Sequence, residues 1–535
     1  RSALEAKACG DLSIRSKETR HSGSGCAYDG ECPRRGAYRP LMFAVGAEPK
    51  ALAFDKSRSE SPGIRFTPAS VARPASHTMC GPTGSSPKSI LIDLSEEQPM
   101  LRSVLEVIVV WHPRDKAAGV VADALADHFH GGGYASLLGG SLEVYMRYAG
   151  WQSPDDSPRP ILWPSSDPAV SHVQPARFVA VVLMVGLYLD RAVAAGPESP
   201  WYTYVAQIMQ ARGADPSHVK LFACRLPGQA VSENLADLIG TLQLIGEHDA
   251  CIALPAEELD RTRCRDLAQG LAQWISPVSN EQLIVFISHT KRLGTPGEPV
   301  AILVNDVRSA FSAGRVDTFY DAQDLKSGEN WDARLRQRSA TSALLALRTD
   351  LYATREWCQR EMLTAKVHGM PVVILDALTY GERRGSFLMD HAPRIPARIQ
   401  GDGHFDLASI RRAIDLLADA WLQRVIWLRL KEEAYDLPTL QGYWWAPQVP
   451  EPSTLARWLP PLATDPPSDL DHPAESGLGA PPRMPACAPG SRIGIIHPDP
   501  PLSEDERAVL QRMVSLAGYG MLDLTTPRLL ATRGA

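Results

Sequence analysis

The chain alternates short apolar runs with polar stretches of helical period. Runs at 107–110, 178–189, 219–223, 283–287, 316–320, 343–347, 371–375, 492–497 and 521–524 each have the length and apolar density of a buried strand. Between them apolar residues recur three and four positions apart. The clearest stripe is Val300, Leu303, Val304, Val307 and Phe311, with Pro299 near its start and Gly314 just past its end, as helix termini prefer. Helices are also expected over 117–129, 201–212, 267–275 and 410–422, and Ser503 to Glu506 reads as a capping box that opens another. Strands that alternate with helices predict parallel sheets, so the expected class is α/β.

The same pattern divides the chain. Residues 1–100 are rich in Ser, Pro, Gly and Arg without a sustained apolar period, and read as disordered or as an extension upstream of a true start at Met79 or Met100. Residues 101–277 form one α/β domain and 281–431 a second. Residues 446–490 are Pro-rich and read as a linker. Residues 491–535 form a partial α/β unit. A single strand–helix–strand unit cannot bury its own faces, so this piece packs on the preceding domains or begins a third. The two larger units read as a divergent repeat. Each opens with an apolar strand shortly followed by a histidine (His112, His289), and each places a tryptophan at the start of a later helix (Trp201, Trp357).

Composition narrows the function classes. A chain of 535 residues holds about two to four domains. Its net charge of −6 provides no basic field for nucleic acid. Nine cysteines, odd in number and without CxxC spacing, argue for a reducing, cytoplasmic compartment and against a disulfide framework or a zinc ribbon. The longest apolar run, 178–189, is too short to span a bilayer, so no membrane contact is expected. His128-Phe129-His130 has no further ligand at usable spacing, and a helix end stopped by glycine explains it better than a metal. Gly131 to Gly133, with Gly139 and Gly140, lack the GxGxxG register of a dinucleotide loop. Neither a metal nor a bound cofactor is expected.

The residues that invite chemistry are Arg355-Glu356-Trp357-Cys358-Gln359-Arg360-Glu361. Positions three and four apart share a helix face, so Glu361 lies beneath Trp357 and Cys358. A carboxylate held among apolar neighbours stabilises a transient cation, because little water screens it. The plain alternative is a surface glutamate between Arg360 and Lys366. Trp357 can be core packing or a stacking surface, Cys358 is a small packing residue, and Asp324 with Gly328 can form an ordinary turn.

Three stretches taken in order resemble the bacterial Toll/interleukin-1 receptor (TIR) domain. Phe286-Ile287-Ser288-His289 is similar to the family's first box. Asp324-Leu325-Lys326-Ser327-Gly328-Glu329-Asn330-Trp331 is similar to its BB loop. Trp357-Cys358-Gln359-Arg360-Glu361 matches the Trp-Cys-x-x-Glu signature of its NAD-cleaving members. The resemblance implies a flavodoxin-like parallel sheet over 281–431, preceded by a divergent, TIR-like α/β domain. It implies cleavage of the nicotinamide–ribose bond with NAD as substrate and no separate cofactor. Glu361 would be catalytic, and Ser288, His289, Asp321, Trp357 and Cys358 would line the substrate site. Asp324, Leu325, Gly328 and Trp331 would form a loop for self-association. Lys291, Arg292 and Arg315 could meet the pyrophosphate or simply be solvated. Family members of this kind act in bacterial defence or signalling. The alternative the family allows is a non-catalytic adaptor that works through TIR–TIR contact. A receiver-like sheet finds no acidic phosphoacceptor cluster here. Aligning Trp201 with Trp357 puts Val205 where Glu361 stands, so the first unit is expected to be catalytically dead.

Overall fold

A computed structural model describes residues 102–130, 142–150, 153, 156–165, 174–226, 231–240, 244–245, 254–278, 281–290, 299–313, 319–321, 331–382, 385–434, 437, 440–460, 482–527 and 529–530. The expectations for residues 1–100 lie outside them. Among the described residues there are three sheets, and every strand pair in them is parallel. The α/β class expected from the alternating pattern is what folds.

The first sheet has the order β2-β1-β3-β4, from β1 (Leu105–Val110), β2 (Leu142–Arg147), β3 (Phe178–Val185) and β4 (Val219–Arg225). Its helices are α1 (Lys116–His130), α2 (Leu187–Ala194), α3 (Pro200–Ala214), α4 (Glu233–Ile239) and α5 (Ala256–Ile275). The second sheet has the order β6-β5-β7-β8-β9, from β5 (Val285–Ser288), β6 (Phe319–Asp321), β7 (Ala343–Arg348), β8 (Val372–Asp376) and β9 (Arg394–Pro396). Its helices are α6 (Val300–Ala313), α7 (Trp331–Thr341), α8 (Glu356–Val367) and α9 (Leu407–Ala434). Counted within each unit, the orders are 2-1-3-4 and 2-1-3-4-5. The two sheets repeat one topology, with strand order reversing between the first and third strands.

The expected stripe on α6 is buried as drawn, with Val300, Leu303, Val304, Val307 and Phe311 facing one side of the second sheet. The other face of that sheet shares a continuous apolar core with the first unit. It joins Phe286, Leu344 and Met362 to Trp421, Val425 and Leu271. Helices α5 and α9 pack along this junction. Arg265 reaches Asp415 at 3.4 Å and His128 Nε2 meets Asp419 at 2.9 Å across it. Burial pushes the Asp415 carboxyl up to about 6, against the opposing pull of Arg265.

Four expectations change. The run 178–189 is not one strand: β3 ends at Val185 and α2 begins at Leu187. The Asp115 carboxylate accepts from the amides of Tyr188 (2.9 Å) and Leu189 (3.0 Å), satisfying the orphan donors of the new helix. Gly186 permits that approach, since a Cβ there would stand 2.5 Å from Asp115 Oδ2. The closing helix runs from Leu407 to Ala434, well past 422, because its apolar face continues through Val425, Ile426, Leu430 and Ala434. Helix α5 likewise begins at Ala256, earlier than 267.

The fourth change concerns the Pro-rich stretch. Residues 446–460 are packed structure, residues 482–490 are described too and bury Met484, and 461–481 of the expected linker lie outside the described residues. Helix α10 (Pro452–Trp458) buries Leu455 and Trp458. Strand β10 (Tyr443–Trp445) pairs with β11 (Ile493–Ile496), which pairs with β12 (Leu522–Thr525), and α11 (Glu504–Leu516) joins the last two. The C-terminal piece therefore packs on the second unit. Lys366 of α8 donates to Glu451 Oε1 and Oε2, both at 2.9 Å, and Trp458 Nε1 donates to Val367 O at 2.9 Å. Strands β2, β9 and β10 carried no clear apolar run. They are short or at sheet edges, where one face stays wet.

Candidate active site

Parallel sheets bring the C-terminal ends of all strands to one edge, and ligands bind where the strand order reverses. In the second unit that point lies between β5 and β7. Ser288 is the last residue of β5, pairs with Ala346 of β7 and is 1% exposed. Beyond β7 the chain makes a 3-10 turn over Tyr352–Thr354 and enters α8 with Arg355 as its N-cap. Tyr352 is fully buried, wedged beneath the reversal.

Helix α8 turns Cys358, Glu361, Met362 and Ala365 inward. The three-residue spacing of Cys358 and Glu361 puts both on the sheet side. Glu361 is 6% exposed. Its Oε2 accepts from Ser288 Oγ at 2.6 Å, and Ser288 Oγ lies 2.7 Å from Tyr352 Oη. A length of 2.6 Å is that of a hydroxyl donating to a carboxylate. Cys358 Sγ contacts the carbonyl of His289 at 3.7 Å.

Burial controls the protonation of this cluster. It pushes the Tyr352 phenol well above its ordinary value, and the neighbouring Cys358 and Glu361 push the same way. Burial, helped by Glu361, pushes the Cys358 thiol up to about 12. Cys358 is therefore a neutral thiol at physiological pH and no nucleophile. An ionised Glu361 can only accept. Ser288 must then give it its single proton and take one from Tyr352.

The other expected residues are placed as follows. His289 is 4% exposed, and its Nδ1 donates to the carbonyl of Thr290 at 2.9 Å. His497, the residue after β11, repeats that bond onto Pro498 O at 2.8 Å, whereas His112, two residues past β1, accepts at Nδ1 from the Arg114 amide at 3.2 Å. The recurrence of this histidine bond after β5 and β11 supports a structural duty for His289. Trp357 is 36% exposed with the Arg360 guanidinium 5.1 Å over its ring, so it stands at the surface and not in the buried cluster. Asp321 closes β6, paired with Ile287. Trp331 opens α7. Asp324, Leu325, Gly328, Lys291, Arg292 and Arg315 lie outside the described residues. Tyr352 was not anticipated; a tyrosine in an irregular turn carries no periodic signal.

Beside the cluster, Arg348 at the end of β7 binds Glu382 through two bonds, at 3.0 and 2.6 Å, and Asp376 of β8 at 3.0 Å. The Asp350 carboxylate accepts from the amides of Thr379, Tyr380 and Gly381. Together they hold the loop after β8 along the same sheet edge.

No group of three or more His, Cys, Asp or Glu side chains could hold a metal ion among the described residues. His128 and His130 are engaged with Asp419 and the Val144 carbonyl. Among the same residues, no helix is long and apolar enough to cross a membrane. No family model matches the chain, and no curated protein matches it.

Proposed function

We propose that residues 281–431 form a TIR-like domain that hydrolyses NAD at the nicotinamide–ribose bond, with Glu361 as the catalytic group. The observation that carries this reading is the buried Glu361 carboxylate, bonded to Ser288 at the strand-order reversal of a 2-1-3-4-5 parallel sheet. That order is the flavodoxin-like one, and its reversal is where such sheets take ligands. The resemblance at Ser288, His289 and Trp357 to Glu361 supplies the substrate class.

The chemistry suits a lone carboxylate. The C1′–N1 bond breaks with its electron pair passing to the pyridinium nitrogen, so nicotinamide leaves neutral and needs no general acid. Ordinary glycosides need one, which is why they employ two carboxylates. Positive charge develops on the ribose, and a carboxylate in a site of low polarity stabilises it. Water then adds at C1′, releases a proton and leaves ADP-ribose. If a ring nitrogen of the adenine adds in place of water, a cyclic isomer forms. Burial holds the phenol of Tyr352 and the thiol of Cys358 toward their neutral forms, so this mechanism assigns the negative charge it needs to Glu361. Cytoplasmic self-association through the loop 321–331 and a role in bacterial defence or signalling belong to the same proposal.

The test follows nicotinamide release from NAD by the full chain over a range of concentrations. Glu361→Gln should lower the rate about 100- to 1000-fold, the effect of removing one preorganised electrostatic group. Substitutions at Gly328 and Trp331 should lower it through weaker assembly. Activity that survives Glu361→Gln removes Glu361 from the mechanism. Absence of turnover at every concentration favours the adaptor, a reading encouraged by the first unit, where Val205 occupies the matching helix position.

A further inference from the structure

The two α/β units allow an internal comparison at the strand-order reversal. Ser288 pairs with Ala346, two residues before the end of β7; in the first unit Val110 pairs with Leu183, two residues before the end of β3. Tyr352 lies four residues past β7, and Leu189 four past β3. Trp357 is the second residue of α8 and Trp201 the second residue of α3, which in the first unit comes after the inserted helix α2; aligning the two tryptophans matches Glu361 to Val205. Val110, Leu189 and Val205 are each 0% exposed and belong to one apolar cluster. Where the carboxylate is absent, both hydroxyls are absent too. Three polar groups at separate points of the chain are present together or replaced together.

Packing alone does not require them. The first unit fills the same three positions with aliphatic side chains and buries them completely. Retaining three buried polar groups has a desolvation cost unless each is bonded. In the second unit Ser288 Oγ lies 2.7 Å from Tyr352 Oη and 2.6 Å from Glu361 Oε2. With Glu361 ionised, the bonds run in one direction, from Tyr352 to Ser288 and from Ser288 to the carboxylate.

We propose that Tyr352 and Ser288 are positioning residues that act as a directed relay, holding Glu361 ionised and fixing its Oε2, so that the carboxylate stays charged when the ribose turns cationic. The proposal rests on the assignment of Glu361 above. Ser288 acts on the carboxylate directly. Tyr352 acts through Ser288, by donating to the serine oxygen and so leaving the serine's single proton to the glutamate. A bond to the ionised form lowers a carboxyl pKa, so each loss along the relay raises it.

The experiment uses the full chain with Tyr352→Phe, which keeps the ring, Ser288→Ala, and Glu361→Gln as reference. The acid limb of the pH profile of nicotinamide release should move upward from wild type to Y352F and further to S288A. The expected displacement in S288A is about one pH unit, a tenfold change in proton affinity. On the acid side of the optimum kcat should fall in Y352F by the factor that the limb's displacement sets, with KM nearly unchanged, since only the charged state of Glu361 is affected. A purely structural role would lower kcat without moving the limb, and that result overturns the relay. Infrared difference titration reads the same quantity without turnover. The protonated-carboxyl band lost in E361Q should titrate at a higher midpoint in Y352F and higher still in S288A. Equal midpoints in folded variants overturn the relay even if wild type cleaves NAD. Ordered midpoints in a chain that cleaves no NAD uphold the relay and refute only the assigned reaction.

Discussion

Glu451→Gln should loosen the C-terminal unit from the helix that carries Glu361. Lys366 lies on α8 with its side chain 3% exposed, and its ammonium is saturated by three acceptors, Asp390 O at 2.6 Å and the two Glu451 oxygens at 2.9 Å. Removing the Glu451 charge leaves a buried ammonium without its counter-ion. Breaking one side of such a pair costs about 3–5 kcal/mol. At 1.36 kcal/mol per decade, this shifts the balance between docked and open states by about two to four decades. The Glu451 amide keeps its bond to Thr454 Oγ1 at 3.0 Å, so the start of α10 stays capped. Two tryptophan bonds, Trp458 to the Val367 carbonyl (2.9 Å) and Trp427 to that of Ala446 (3.0 Å), also hold the junction and make the upper figure a ceiling. Hydrogen exchange read by mass spectrometry on peptides covering 443–460 and 362–369 measures the opening directly. Exchange there should accelerate in E451Q, while peptides from β1 and β3 keep their rates. The double variant Lys366→Met with Glu451→Gln removes both charges and should recover most of the protection. If the single variant exchanges like wild type, or the double variant exchanges as fast as the single, the buried pair does not hold this junction.

Two further outcomes test the packing of the first unit and its junction. Burial raises the Asp415 carboxyl to about 6 from 3.8, so the folded state holds its proton more tightly than the unfolded chain does. Its stabilising contribution is full below about pH 4 and is lost as pH rises through 6. The melting-temperature difference between wild type and Asp415→Asn should therefore fall from pH 4.5 to 7, by the equivalent of at most about 3 kcal/mol; a pH-independent difference refutes it. Gly186→Ala forces a Cβ against the Asp115 carboxylate and should destabilise the first unit by about 1–3 kcal/mol, read as a lower melting temperature that Asp115→Ala partly relieves.

Much of the fold was legible because strand and helix periods are local. The stripe from Val300 to Phe311, the strand over 343–347 and the inward pairing of Cys358 with Glu361 follow from spacing within one element. The run 178–189 misled because apolar content cannot tell a strand from a strand joined to a buried helix. The division is made by Asp115, a residue far away in the chain that caps the second half. The Pro-rich segment misled for a related reason. Proline marks an extended or helix-starting backbone, and whether such a segment is tethered depends on a partner such as Lys366.

Glu361 and Ser288 could be singled out from the sequence, but the bond between them and its link to Tyr352 could not. Ser288 is 73 residues from Glu361 and Tyr352 is 64 residues from that serine. They meet because β5 and β7 pair in parallel at the reversal, and that pairing is decided by which apolar faces bury together across the whole sheet. Local chemistry thus determined the elements and named the carboxylate, since both depend on near neighbours along the chain. Tertiary packing alone decided that Ser288 bonds to it and Tyr352 to Ser288, because hydrogen bonds act across space and carry no period that a sequence could display.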